Sequence, residues 1–370
     1  MNGGLARILT LTFGKEGNET NHLGSGWSGD EPGHRWMIGQ ASEIWLSEIT
    51  PDPDHAEPAD LILELDIEGI AGSNQKLLIA VRDQAIAQIT RSHGGTIGFH
   101  IPGRLATGSG PVRLLLVHPD FRRPSATLGA DDRELSLSVR ALRLSRIRPR
   151  PAPIGGPPLP QAEMITRFES IGDNCEFGLV QRKLNAEPLG LFRFSFIELA
   201  SLLRGLRDGF EGMGDPATTE LVVDGPDREY VVRESVYNTT YHTFQYESQI
   251  AIETVRAQQS TRLGFLRRKF LEDLGNGEKI LVIKRLDPLP PEEVLPVYVA
   301  LNELGWNWLL WMLPADDAHP SGTVEMLLPG LLRAYIDRFA PYKNAHDISL
   351  PAWVGVCEKV WRAIGQPIRD

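Results

Sequence analysis

The chain has 370 residues, of which 23% are charged, with a net charge of −10 and only two cysteines, Cys175 and Cys357. At about 150 residues per domain this is two domains, long enough to bury a full core without a disulfide framework or a four-cysteine zinc site. Residues 1–150 hold 16 basic and 18 acidic side chains and the remainder 22 and 30, so neither half carries the cationic stripe that a phosphate backbone requires.

Nucleic acid is therefore not an expected partner. No run approaches the roughly 18 uninterrupted apolar residues of a membrane span. The opening residues lack the basic-then-apolar arrangement of a signal peptide, and a reduced, cytoplasmic protein is expected.

The first half alternates at period two. Leu61–Ile67, Lys76–Val81, Thr96–Ile101, Val112–Val117 and Glu134–Leu144 are short runs rich in Leu, Ile and Val. Turn residues such as Gly72-Ser73-Asn74, Gly94-Gly95, Gly108-Ser109-Gly110 and Asp131-Asp132 separate them. This spacing predicts an antiparallel β-sandwich of jelly-roll type over residues 1–147. A Pro/Gly-rich segment, 148–162, then reads as a semi-extended linker, because dense proline fixes φ and removes backbone donors.

Beyond it, 163–370 reads as an α/β domain with a mainly parallel sheet. Expected in order are a strand at Arg167–Ile171, a helix at Cys175–Leu184 and a helix at Phe196–Asp208 with Ser195 as its N-cap. A hairpin around Gly225-Pro226-Asp227 and a long helix at Glu253–Leu274 follow. The strand Lys279–Lys284, a helix at Pro291–Leu304 and the strand Trp308–Leu313 come next, and helices at Val324–Phe339 and Pro351–Ile364 close the chain.

The chemically informative segment is Ser170-Ile171-Gly172-Asp173-Asn174-Cys175. A strand, a glycine turn and a helix start place Cys175 in the first helical turn, where free N–H groups and the helix dipole favour a thiolate. The same N–H groups, with Asn174 as side-chain donor, suit an oxyanion. Asp173 and Glu176 oppose a thiolate by their charge. The plainer alternative is that Asp173 or Asn174 only caps the helix and Cys175 packs as a small apolar residue. Three histidines are candidate bases: His242 between aromatic residues, His319 in Asp316-Asp317-Ala318-His319-Pro320, and His346 beside Asp347. Each also reads as an ordinary strand, turn or helix-entry residue.

The run Phe168–Gly178, with Leu179-Val180-Gln181-Arg182 and Glu187–Phe194, resembles a bacterial family described as papain-like cysteine peptidases, which shares a Ser-x-Gly-x-x-Cys motif. The resemblance implies Cys175 as nucleophile of a hydrolase or acyltransferase, with His242 as base and His346–Asp347 as the second choice. It also implies a Cys-bearing helix packed on an antiparallel sheet, which conflicts with the parallel crossover expected from the local periods. In the His242 motif Thr243 stands where the family often has Asp. Gly172-Asp173-Asn174 and Asp316–Pro320 also resemble the Gly-Asp-Ser and Asp–His blocks of SGNH esterases, but Asn174 replaces the serine nucleophile.

The first half, through Gly26-Trp27-Ser28, Arg35-Trp36 and Phe99–Pro102, resembles β-sandwich modules of carbohydrate-linked bacterial proteins. Trp27 and Trp36 are then candidate sugar-stacking residues, or they close the ends of the core. The expected ligand is a small molecule, peptide or glycan, with Asp173 a possible contact, and no cofactor or metal is expected. The alternatives to thiol chemistry are a non-catalytic carbohydrate-binding or surface-polysaccharide-associated protein, and a glycosyltransferase-like α/β domain.

Overall fold

The computed structural model describes residues 3–47, 49, 58–107, 110–124, 131–148 and 155–365. Residues 149–154 of the expected linker and the Gly108-Ser109 part of one expected turn lie outside them. The chain divides into two compact units. One comprises Leu5–Arg148 with Pro290–Val299, the other Pro149–Leu289 with Ala300–Asp370 and Met1–Gly4.

Among the described residues the first unit contains nine strands: β1 (Leu5–Thr12), β2 (Arg35–Ile38), β3 (Ala41–Leu46), β4 (Leu61–Ile70), β5 (Gln75–Val81), β6 (Gln84–Arg91), β7 (Gly95–Ile101), β8 (Val112–Val117) and β9 (Leu135–Ile147). A 3-10 turn at Thr20–His22 and a short helix, α1 (Gly103–Ala106), interrupt them. Strands order as β1-β9-β4-β7, with β2 also on β9, and as β3-β8-β5-β6. Every pairing is antiparallel.

β8 shows the cause most clearly. Val112, Leu114 and Leu116 are buried while Arg113, Leu115 and Val117 are half-exposed, the period-two pattern of a sheet with one wet face. Leu63 and Leu65 of β4, Ile79 of β5 and Leu142 of β9 join Leu114 and Leu116 in one apolar core. The β-sandwich expectation holds at this level, and four further strands, β1, β2, β3 and β6, accompany the five predicted.

The second unit starts with one helical turn, α2 (Gln161–Met164), and runs through β10 (Phe168–Ser170), α3 (Glu176–Lys183), β11 (Ser195–Phe196), α4 (Leu199–Asp208), β12 (Thr219–Asp224), β13 (Glu229–Glu234), β14 (Thr239–Tyr246) and α5 (Ile252–Asn276). The short strand β15 (Ile280–Ile283) follows, then helix α6 (Pro291–Leu304), which spans the division between the units, then β16 (Trp308–Pro314), β17 (Val324–Leu328), β18 (Leu331–Ile336) and α7 (Leu350–Ala363).

Two sheets form here. In β10-β15-β16-β18-β17 the first three pairings are parallel and β17 is antiparallel to β18. All four residues of β15 and the first five of β16 are buried, the continuous apolar run of strands covered on both faces. The other sheet, β11-β14-β13-β12, is wholly antiparallel. The unit therefore holds the expected parallel crossover and also an antiparallel sheet of which only the β12–β13 hairpin was anticipated.

Two expectations are corrected. Val324–Phe339 is the β17–β18 hairpin and not a helix, because Pro329-Gly330 breaks the run and Gly330 adopts φ +93°. Ser195 lies in β11 and is not an N-cap; α4 starts three residues beyond Phe196, after Glu198.

Trp27 packs, half-buried, against the sandwich core. Its ring packs 5.2 Å from Phe13 and its indole N–H donates to the Glu43 carbonyl at 2.9 Å. Trp27→Ala is expected to lower unfolding stability by roughly 2–4 kcal/mol in chemical denaturation. A variant as stable as the parent would show that the ring is dispensable to packing.

Candidate functional site

The Ser170–Cys175 turn lies where β10 ends, beside the end of the adjacent parallel strand β15. The carboxyl ends of parallel strands are where α/β folds place their sites. Gly172 is required at the turn: its φ is +82°, and a Cβ there would meet Ile197 Cγ2 at 2.7 Å. Asn174 closes an Asx turn at the helix entry, its Oδ1 accepting the Glu176 N–H at 3.0 Å. Cys175 is thus the N-cap residue itself and not part of the first turn.

A buried cluster holds this turn. Lys284 Nζ, just past β15, donates to Glu176 Oε2 at 2.7 Å and Asn174 Oδ1 at 3.0 Å, and lies 3.2 Å from Asp173 Oδ2. Glu176 is fully buried, and its other oxygen accepts the Trp353 indole N–H from α7 at 2.9 Å. Arg285 donates to the Ile197 carbonyl at 2.8 Å, while its Nε and Nη2 and the Asn174 Nδ2 are buried without a hydrogen-bond partner. Asp173 is committed to Lys284 and Arg285.

Burial pushes the Cys175 thiol up to about 11, and the Glu229 carboxylate pushes it the same way; Arg182 and Lys284 pull against them. The direction is opposite to helix-dipole activation, because desolvation outweighs the favourable charges. The sulfur makes no hydrogen bond among the described residues.

His242 sits on β14 opposite Val231 of β13. Its Nδ1 lies 3.1 Å from Glu229 Oε2, and Glu229 Oε1 accepts the Phe244 N–H at 2.8 Å. A carboxylate only accepts, so Nδ1 carries the hydrogen and the neutral ring keeps its lone pair on Nε2. A register irregularity between Glu229 and Val231 brings this carboxylate under the ring, the kind of bulge that re-aims side chains. Phe244, in that stretch, is held at φ +56° by its N–H bond and by edge-on packing against Phe194.

The remaining candidates are engaged in contacts of their own or exposed. His319 stacks on Tyr335 at 4.4 Å and bonds Asp316 at 2.9 Å, closing its own turn. Asp347 is bound by Arg338, through both its carboxylate and its carbonyl, so it does not orient the exposed His346. Cys357 is fully buried in α7. In the first unit Trp36 is half-buried, edge-on to His34.

A cleft of about 310 Å³ opens beside His242, bounded by Arg182, the 187–194 segment, β14 and the Gln259–Leu266 stretch of α5. Glu187 is clamped there by Arg182 at 2.9 Å and Arg193 at 2.5 Å. The Arg182 guanidinium also lies over the rings of Phe194 and Phe244, 4.7 and 5.0 Å from their centres.

Sequence reasoning missed Glu229, Lys284, Arg285 and Trp353. Two cations directly after the buried run Ile280–Ile283 were the available signal for Lys284 and Arg285; nothing local marked Glu229. Among the described residues, no group of three or more His, Cys, Asp or Glu is arranged to hold a metal, and no helix is long and apolar enough to cross a membrane.

No family model matches the chain, and no curated protein does. The resemblance to papain-like peptidases stands on its quoted residues alone. Among solved structures the chain is similar to a carbohydrate binding module from Cellvibrio mixtus lichenase 5A in complex with cellotriose, at 10% identity and a TM-score of 0.24 over 39% of this chain and 100% of that one. It is similar to a family 35 carbohydrate binding module from an environmental isolate, at 12% identity and a TM-score of 0.21 over 40% and 94%. It is also similar to a latent aurone synthase, a polyphenol oxidase, at 14% identity and a TM-score of 0.23 over 30% and 25%. The chain spans about a quarter of the length of the aurone synthases it matches.

Burial pushes Glu169, at the end of β10, up to about 7. The native state then holds a proton that the unfolded carboxyl releases near its reference pKa of about 4.3. This contribution to stability is complete below that value and is lost as pH rises toward 7. Unfolding midpoints measured from pH 4 to 8 are expected to show this fall, and Glu169→Gln to flatten it. A fall of the same size in the variant would mean that another group causes it.

Proposed function

We propose that the second unit performs thiol-dependent acyl transfer or hydrolysis, with Cys175 as nucleophile and His242, oriented by Glu229, as base. The observation that carries this reading is the Glu229 carboxylate 3.1 Å from His242 Nδ1, which orients the ring and leaves Nε2 to accept a proton.

The thiol is protonated at rest, so attack requires proton transfer to His242 Nε2 as the sulfur bonds to the acyl carbon. The leaving group departs with that proton, and water or an acceptor then releases the acyl group from the thioester. The unpartnered Asn174 Nδ2 suits the oxyanion that forms in each half.

Incubation with p-nitrophenyl acetate is expected to leave an acyl adduct on Cys175 by mass spectrometry. His242→Ala should lower turnover about 10²- to 10⁴-fold, the usual range for a lost base. Turnover unchanged in Cys175→Ala, or an adduct formed equally fast without His242, would sink the reading. Alkylation by iodoacetamide should keep accelerating with pH toward 11; a plateau reached by pH 8 would mean an activated thiolate.

A second reading, carbohydrate binding by the sandwich, is favoured by Trp45. This residue is 40% exposed on the outer side of β3, while its neighbours Ile44 and Leu46 face the core. Glu43, on the same side, is paired with Arg113, which also binds Asp83. An exposed indole flanked by fixed polar groups suits stacking on a sugar ring. Trp45→Ala is expected to abolish retention on a glycan array without changing the melting temperature. Equal retention by parent and variant would remove Trp45 from any such site.

A further inference from the structure

The cleft beside His242 holds more positive charge than its own ion pairs neutralise. Arg182, Arg193 and Arg262 line it, against the single carboxylate of Glu187. Glu187 is shared by Arg182 and Arg193. Arg262, exposed on α5, makes no hydrogen bond or ion pair among the described residues, and its charge is felt at Arg193.

Two buried polar groups are also unused. Gln259 lines the cleft while only 7% exposed, and its side-chain amide makes no hydrogen bond among the described residues. Arg193 Nε is buried without a partner. The orphaned Arg193 Nε costs stability that a ligand oxygen would relieve, and the unpaired Gln259 amide is free to bond a ligand. Besides His242, the remaining lining is mainly apolar or aromatic, including Leu263, Leu266 and the exposed Phe244.

We propose that this cleft binds a phosphate monoester carried on an apolar or ring-shaped body. With three guanidinium groups in the lining against Glu187, and Glu229 behind His242, the cleft is net positive, as suits a phosphate monoester carrying about −1.5 to −2 at neutral pH. Arg262 and the Gln259 amide contact its oxygens, and Phe244 with the leucines covers its body. The inference deepens the thiol reading and rests on it for the ligand's role as substrate; the cleft's composition alone carries the binding claim.

Phenyl phosphate is the probe, measured by calorimetry on full-length Cys175→Ala protein, so that binding is separated from turnover. Phenyl phosphate is expected to bind, with affinity falling as salt rises, and Arg262→Gln, at an exposed position, to weaken it about tenfold or more. Gln259→Leu should weaken it as well, with an unchanged melting temperature confirming that the variant is folded. Benzyl alcohol, which lacks the charge, should not bind. Absence of phenyl phosphate binding, undiminished binding by Arg262→Gln, or tighter binding of benzoate than of phenyl phosphate would overturn the proposal. Failure of the thiol reading shows separately, as the absence of an acyl adduct on wild-type Cys175.

Discussion

The arrangement of the second unit depends on one buried ammonium. Lys284 emerges from the end of β15 into a site where Glu176, Asn174 and Asp173 surround its nitrogen. Desolvating a lysine and a carboxylate is costly, and the cost is offset only when the remaining donors and acceptors are satisfied. Here the second oxygen of Glu176 takes the indole N–H of Trp353, so the cluster ties the start of α3, the end of β15 and helix α7 to one another. The Gly172 turn has little freedom left, and the position of Cys175 follows from it.

The same burial that makes this cluster rigid sets the chemistry of the thiol. A cysteine at a helix start is ordinarily stabilised as thiolate, but the gain from the dipole is modest and is confined to the first turn. Cys175 stands half-buried at the cap, and burial together with the Glu229 charge moves its thiol up to about 11. In the proposed reaction a thiol so placed would depend on a base. The bulge between β13 and β14 supplies a histidine whose tautomer is set by a carboxylate. Phe244, held at positive φ in that bulge, shows that the backbone there is kept in an uncommon conformation by its surroundings.

Much of the fold was legible because burial imprints its period on the sequence. The alternation of β8 and the unbroken apolar run of β15 each point to one structural solution. The reading failed where a local pattern fitted two. In Val324–Phe339 leucines and aromatics recur at helical spacing, yet the same residues alternate acceptably across a hairpin, and Pro329-Gly330 decides between them. Ser195 was assigned to a helix because a serine before an apolar run resembles a cap. Its pairing with Tyr241, 46 positions later, leaves no local trace. At the site, Cys175, Asn174 and His242 stood out through their motifs, whereas Glu229 reaches His242 only through strand pairing.

By itself, the sequence determined the β-rich first half, the strand–helix alternation of the second, and the turn that puts a cysteine at a helix start. These are consequences of residue period, glycine conformation and capping, all set within about ten residues. Only the tertiary structure decided that Cys175 is desolvated, that Lys284 is surrounded by acceptors, and that His242 rests on Glu229 while Asp347 is bound by Arg338. Desolvation and charge pairing depend on which distant segments pack together, and no local pattern encodes them.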